Sequence, residues 1–341
     1  MIVTSTRGCH TKTYLFPYGQ PCVSFKRKMM TDVEIHRQPP HTPAPLRPAP
    51  VPPVYVTALF ALVAGAVAMG ISPVFVRVAE VGPFASAFWR VALALPLLWA
   101  WARLEDDRAG GGEKAAPPLT MGQVLVGLFF AGDLFFWHLA IVNTTVANAT
   151  FLATMAPVWV LIGSGLFIGE RVSRAMFAGL AFCLLGAATL VGTSYGYAPE
   201  RLLGDIFGIV TSLFFGAYFL AVRVARRTVS PGCILWRSTL ITAAALFVVA
   251  LVLEGDFLPQ TLGGYAALLA LAAVSHVGGQ GLLTFALGHL SAAFSSLVIF
   301  LEALAAAGFG WLLLGESLTT LQIVGGIAIL AGIWVARPRE S

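Results

Sequence analysis

Charge is what this sequence has least of. Only 11% of its 341 residues are Asp, Glu, Lys or Arg, where a soluble domain carries roughly a quarter. A chain this long and this poor in charge cannot cover a water-facing surface, which excludes an ordinary soluble domain. Cysteine is scarce as well. Cys9, Cys22, Cys183 and Cys233 stand without a C-x-x-C or a Cys/His metal spacing, so they read as packing residues or free thiols. The sequence has no G-x-x-x-x-G-K-[ST], H-E-x-x-H or G-x-S-x-G, which removes an ATP-driven pump on this chain, a zinc protease and an α/β-hydrolase. The short alternating segments of a β-barrel are missing too. No cofactor, no metal and no enzymatic activity are expected.

What is present is apolar. The chain is 58% hydrophobic, with a mean hydropathy of +0.84. Runs of about 20 apolar residues recur, enough to cross a hydrocarbon core of about 30 Å. The expected fold is an all-α polytopic membrane protein with ten transmembrane helices, at 54–76, 82–103, 120–141, 146–168, 174–193, 204–225, 232–253, 262–284, 290–314 and 319–336. Residues 1–50 differ from the rest. They are basic and Pro-rich (Q-P-P-H-T-P-A-P-L-R-P-A-P) and read as a disordered cytoplasmic tail, with Met29 or Met30 as an alternative translation start.

Orientation follows from the basic residues. With the N-terminus inside, the cytoplasmic loops and ends beyond the tail take ten Lys/Arg, and the outer side takes only Arg77 and Arg201. Both termini are therefore expected in the cytoplasm. The net charge of +5 is explained by this placement and is not a nucleic-acid signal.

A long repeat organises the chain. L-F-I-G-E-R-V-S-R-A-M-F-A-G-L-A-F-C-L-L-G at 166–186 returns 146 positions later as L-L-L-G-E-S-L-T-T-L-Q-I-V-G-G-I-A-I-L-A-G. Gly169, Glu170, Gly179 and Gly186 become Gly315, Glu316, Gly325 and Gly332. Arg77 recurs as Arg223, and Trp89-Arg90 as Trp236-Arg237. The halves are 54–193 and 204–336. Each has five spans, an odd number, so the second runs through the membrane the other way up. Inverted repeats are a device of transporters.

The two apolar-Gly-Glu-(x8)-Gly-(x6)-Gly endings carry a resemblance. So do Ala-Pro-Val at 156–158, F-W-R at 88–90 and L-E-A-L-A-A-A-G-F-G-W-L-L-L-G-E at 301–316. Over about 54–336 the sequence resembles the drug/metabolite transporter superfamily, specifically its EamA-type ten-helix carriers. The resemblance implies a helical basket around a central cavity and transport of small metabolites such as amino acids. One departure stands out: Ala303 follows Glu302 where the family often has proline, so a less kinked ninth helix is expected.

Ionisable groups inside the membrane are functional candidates by default. Asp133 lies well within the third span, with Phe129, Phe136, Trp137 and Ala140 on its face. It could titrate a proton or hold a substrate amine, or it could be a structural hydrogen-bonding group. Glu302 has Ala156 as its repeat counterpart, an asymmetry suited to an asymmetric ligand. His276 and Gln280 share a face beside Gly278, Gly279 and Gly281, where the helix could unwind locally. His138 adjoins Trp137. Arg90 and Arg237 read first as residues that snorkel to the headgroups, and otherwise as anchors for a substrate carboxylate. Glu170 and Glu316 read as caps for the helix that follows each, and the glycine pairs as close-packing positions.

The reading is a secondary transporter of the cytoplasmic membrane, exporting small metabolites such as amino acids by alternating access, with proton coupling as a weaker expectation. Its partners are the lipid bilayer, a small-molecule substrate and protons; a homodimer stays open. Broad-specificity drug or lipid efflux, and a non-transporting receptor or assembly subunit, are the alternatives.

Overall fold

The computed structural model describes residues 53–108, 118–144, 146–191, 199–255, 257–315 and 319–338. The N-terminal tail, Glu316 and Arg339 lie outside them. Among the described residues eight apolar helices are long enough to cross a membrane: α1 (Pro53–Val78), α2 (Pro83–Arg108), α3 (Met121–Asn143), α4 (Asn148–Phe167), α6 (Pro199–Ala225), α7 (Pro231–Leu253), α8 (Leu262–Ala286) and α9 (Ala292–Leu313). Two shorter apolar helices, α5 (Arg174–Leu190) and α10 (Thr320–Ala336), sit near the lower limit of about 17 residues for a span. Among the described residues there is no strand.

The bundle is apolar outside and partly polar within. Phe60 and Val252 are each 75% exposed, while Ser164, Ser212, Thr242, Ser275, Thr284 and Ser295 are fully buried. That distribution suits a solvent of lipid, where small polar residues join helices and apolar ones face outward.

The Gly-Glu signature ends a helix in each half. Gly169 and Gly315 adopt left-handed φ values of +69° and +68°, which a residue without a Cβ takes at little cost. At the first copy the Glu170 N–H returns to Ser164 O at 2.9 Å, closing the last turn.

The paired glycines then join the halves. A Cβ on Gly179 would lie 2.5 Å from Gly332 O, and one on Gly186 would lie 2.5 Å from Gly325 O. The numbering rises along α5 as it falls along α10, so the two helices are antiparallel. The repeat maps one contact onto the other. Between them Cys183 Sγ sits 3.6 Å from Ile329 O, and residues 183 and 329 are themselves repeat partners. A pseudo-two-fold axis therefore crosses this seam at right angles to the helices, and the second half is inverted relative to the first.

A second reciprocal contact repeats the symmetry. Glu254, just beyond α7, accepts hydrogen bonds from Phe84 N at 2.8 Å and Ala85 N at 2.6 Å, at the start of α2. Glu105, in the last turn of α2, accepts from Gly232 N at 2.9 Å, at the start of α7. Each helix end supplies the carboxylate that satisfies the other's free N-terminal amides.

Candidate functional site

Interrupted helices surround the centre of the molecule. α1 breaks at Ile71 ahead of Pro73, α2 at Leu93 and Ala94 ahead of Pro96, and α4 at Thr154 and Met155 ahead of Pro157. Proline lacks the N–H that would continue the ladder. α9 breaks at Ile299 although Ala303 stands in the place of Pro157. The helix is therefore interrupted there after all, with Glu302 N–H bonded three residues back to Ile299 O at 2.8 Å. α8 widens into a π-helical stretch at Leu271–Gln280, a feature frequent at functional sites.

The breaks of α1, α4 and α9 border a cavity of about 170 Å³. Arg90 from α2, Asp133 and Trp137 from α3, Gln280 from α8 and Glu302 from α9 line it. Phe130, Phe215 and Phe300 form aromatic wall, and Thr150, Thr154 and Thr211 add hydroxyls. Both Ala156 and Glu302, the repeat-related pair, face this space.

Arg90 overturns the first sequence reading of it. It lies in the cavity, its Nε buried without a hydrogen-bond partner and its guanidinium 6.0 Å from the centre of the Phe130 ring. Glu302 and Asp133 line the same cavity, but among the described residues the ion pair found is elsewhere, between Arg223 and Glu170. The cavity thus holds one cation and two carboxylates that are near one another but not paired.

Arg237, the repeat counterpart of Arg90, points away. Its Nη1 donates to Pro118 O at 3.2 Å and Gln123 Oε1 at 3.3 Å, at the end of the bundle. His276 stands behind the wall, hydrogen-bonded to Thr239 Oγ1 at 2.9 Å and packed on Phe130. His138 is turned onto Leu134 O at 2.6 Å and against Phe84. None of the three lines the cavity.

Glu170 also differs from expectation. It caps a helix of the other half rather than the one that follows it. Its Oε2 accepts from Ala292 N at 2.9 Å, at the start of α9, and its Oε1 from Arg223 Nε at 2.6 Å. Arg223 further donates to Leu287 O at 2.9 Å, and Arg226 donates to Thr284 O at 3.0 Å. Together these tie α4, α6, α8 and α9 at one end of the bundle. Glu316 lies outside the described residues.

Sequence reasoning missed Thr150, Thr154, Thr211 and the Tyr218 hydroxyl, which donates to Gln280 Oε1 at 3.0 Å. The available signal was weak: the Thr154 hydroxyl one turn before Pro157, and a tyrosine within an apolar span.

Two inverted halves around a largely apolar cavity that holds Arg90, Asp133 and Glu302, in a bundle with a lipid-facing exterior, define a polytopic membrane transporter. The chain matches the EamA-like transporter family model twice, over residues 56–192 and 202–337, and it belongs to that family. It is 28% identical over 257 residues to the pseudopaline exporter CntI of Pseudomonas aeruginosa, covering 74% of this chain and 86% of that one. It is 26% identical over 218 residues to a probable amino-acid metabolite efflux pump of Salmonella typhimurium, covering 60% and 72%. A solved crystal structure shares the fold with a TM-score of 0.70 at 18% identity, over 82% of this chain and 96% of that one.

Proposed function

We propose that this protein exports amino acids or closely related zwitterionic metabolites across the cytoplasmic membrane by alternating access. The observation that carries the reading is the grouping of Arg90, Asp133 and Glu302 in one cavity. A guanidinium is the natural partner for a carboxylate, and a carboxylate beside aromatic rings suits an ammonium group. A zwitterion offers both. The relatives named as exporters of pseudopaline and of amino-acid metabolites agree with this chemistry and with efflux.

Both termini are assigned to the cytoplasm on the distribution of Lys and Arg. The Glu170–Arg223 cluster then closes the inner side, while Arg90, Ser72 and Thr150 line the cavity from the outer parts of α1, α2 and α4. This supports an outward-facing state. Return to the inward state requires that cluster to separate, and the antiparallel seam of α5 and α10 provides the axis about which the halves exchange roles. Asp133 and Glu302 are the sites where protons would exchange.

Counterflow of radiolabelled amino acids in proteoliposomes tests the reading, with a panel of sugars, nucleosides and cationic drugs as competitors. Competition by amino acids, lost in Asp133→Asn, is the expected outcome. Competition by drugs alone would replace this function with broad efflux.

A further inference from the structure

The charges and hydrogen-bonding groups of the cavity narrow the substrate further, and the narrowing rests on the amino-acid reading above. Arg90 contributes one positive charge, Asp133 and Glu302 two negative ones. A carrier must pass through a state in which water is excluded, and an uncompensated charge in that low-dielectric interior is costly. The charge that completes the loaded cavity is therefore +1.

Two of the neutral groups lean the same way, while Ser72, Thr150, Trp137 and Gln280 also line the space and carry donors. Thr154 Oγ1 donates its proton to Phe151 O at 2.6 Å, and Thr211 Oγ1 donates to Phe207 O at 2.9 Å. Their hydroxyl protons are committed to backbone carbonyls, so toward the cavity both oxygens can only accept. The Asp133 and Glu302 carboxylates, when ionised, also only accept. Four acceptor groups from α3, α4, α6 and α9 thus face the space, and Arg90 is its one cationic donor. That pattern fits a ligand with one carboxylate and more than one ammonium group.

We propose that the preferred substrate is a diamino monocarboxylic acid, with its carboxylate on Arg90 and its two ammonium groups on Asp133 and Glu302. A consequence for coupling follows. The empty cavity reaches neutrality by taking one proton. A diamino acid brings its own extra charge and displaces that proton, so the two are exchanged one for one without net charge movement. A neutral amino acid leaves the proton in place on both legs and moves none.

The titratable and charged groups around these carboxylates are few. Tyr218 on α6 is occupied by Gln280, and His276 on α8 is held by Thr239. His138 on α3 faces Phe84 and Leu134. Arg90 on α2 is the charged group that faces them. Among the described residues, the cavity linings of α1 and α4 contribute no ionisable group.

The test uses full-length protein in proteoliposomes containing a pH-sensitive dye, with lysine, ornithine, alanine and cadaverine as probes. Lysine and ornithine should exchange at least about tenfold faster than alanine and should be the amino acids that shift lumenal pH. Cadaverine, which lacks the carboxylate, should compete poorly with the wild type and well with Arg90→Ala. Glu302→Gln should move the preference toward alanine and abolish the pH signal; gel filtration confirms that this variant is folded. Alanine exchanging as fast as lysine in the wild type, or moving protons itself, would overturn the inference and leave amino-acid export standing. No exchange of any amino acid would overturn both.

Discussion

The two places where the halves meet obey different rules. At the α5–α10 seam the repeat maps one contact onto the other, Gly179 on Gly332 and Gly186 on Gly325, and a two-fold axis runs between them, where the repeat partners Cys183 and Ile329 meet. At the cavity the repeat partners diverge. Glu302 answers Ala156, and Arg90 looks inward while Arg237 looks out. On the proposed alternating access the seam looks the same in both states, which accounts for the symmetry retained there. A ligand with distinct ends needs distinct walls, so symmetry is lost at the site. Stability should follow the symmetric region and activity the asymmetric one.

Breaking the seam should have the largest effect. In Gly332→Val the new side chain starts 2.6 Å from both Cys183 Sγ and Gly179 O, and backbone on the other side cannot yield. The expected cost is roughly 3 kcal/mol or more, read as loss of monodisperse protein in detergent. Gly165, with nothing within 4 Å of its Cβ position, is the control. Gly165→Val should change the melting temperature little, within about 0.5 kcal/mol. Equal damage from both would mean that the seam is not special.

Arg90→Gln separates activity from stability. The Arg90 Nε is buried without a hydrogen-bond partner and the guanidinium forms none of the ion pairs found among the described residues, so its removal should cost the fold no more than about 1 kcal/mol. Transport of an amino acid should fall about a hundredfold, near 3 kcal/mol, the range for removing one side of a charged contact in a closed site. Counterflow together with a thermal melt checks this. A large drop in melting temperature alongside the loss would recast Arg90 as a structural residue.

The reciprocal caps sharpen the symmetric side of the contrast. Glu254→Gln and Glu105→Gln each weaken a carboxylate–amide cap by about 1 kcal/mol. The caps lie at opposite ends of α2, so the double variant should be additive within about 0.5 kcal/mol. Melts of the two single variants and the double give the answer, and strong non-additivity would mean that the two ends are mechanically linked.

Much of this was legible in the sequence because a membrane solvent restricts the fold to a few solutions. Apolar run length located the helices, and the odd number of spans per half implied the inversion that the glycine seam carries. Asp133 and Glu302 could be picked out because charge within an apolar span needs a reason. The same local view misled for Arg90. Its distance from a helix end admitted snorkelling, and only the packing of α2 against α3, α7 and α8 shows that it faces the interior. Glu170 was similar: proximity in sequence suggested the next helix, whereas the amide it satisfies, Ala292 N, lies 122 positions away. The π-helical widening of α8 was hinted at by Gly278, Gly279 and Gly281. Thr154 carried only the weak signal of a hydroxyl next to Pro157, and Thr211 carried none, since threonine within a span is ordinary.

Arg237→Gln should have the smallest effect, and it tests the comparison most directly because Arg237 is Arg90's partner in the repeat. Its guanidinium is half-buried at the end of the bundle and bonds at 3.2 Å and 3.3 Å to Pro118 O and Gln123 Oε1. Water or headgroups can replace both contacts, so removing the charge should cost no more than about 0.5 kcal/mol and change transport less than about threefold. The same counterflow assay and melt used for Arg90→Gln measure it. A loss in Arg237→Gln as large as that in Arg90→Gln would mean that the second half also presents its arginine to the substrate at some point in the cycle. The cavity would then be symmetric in time though not in space, and the division between a symmetric seam and an asymmetric site would fail.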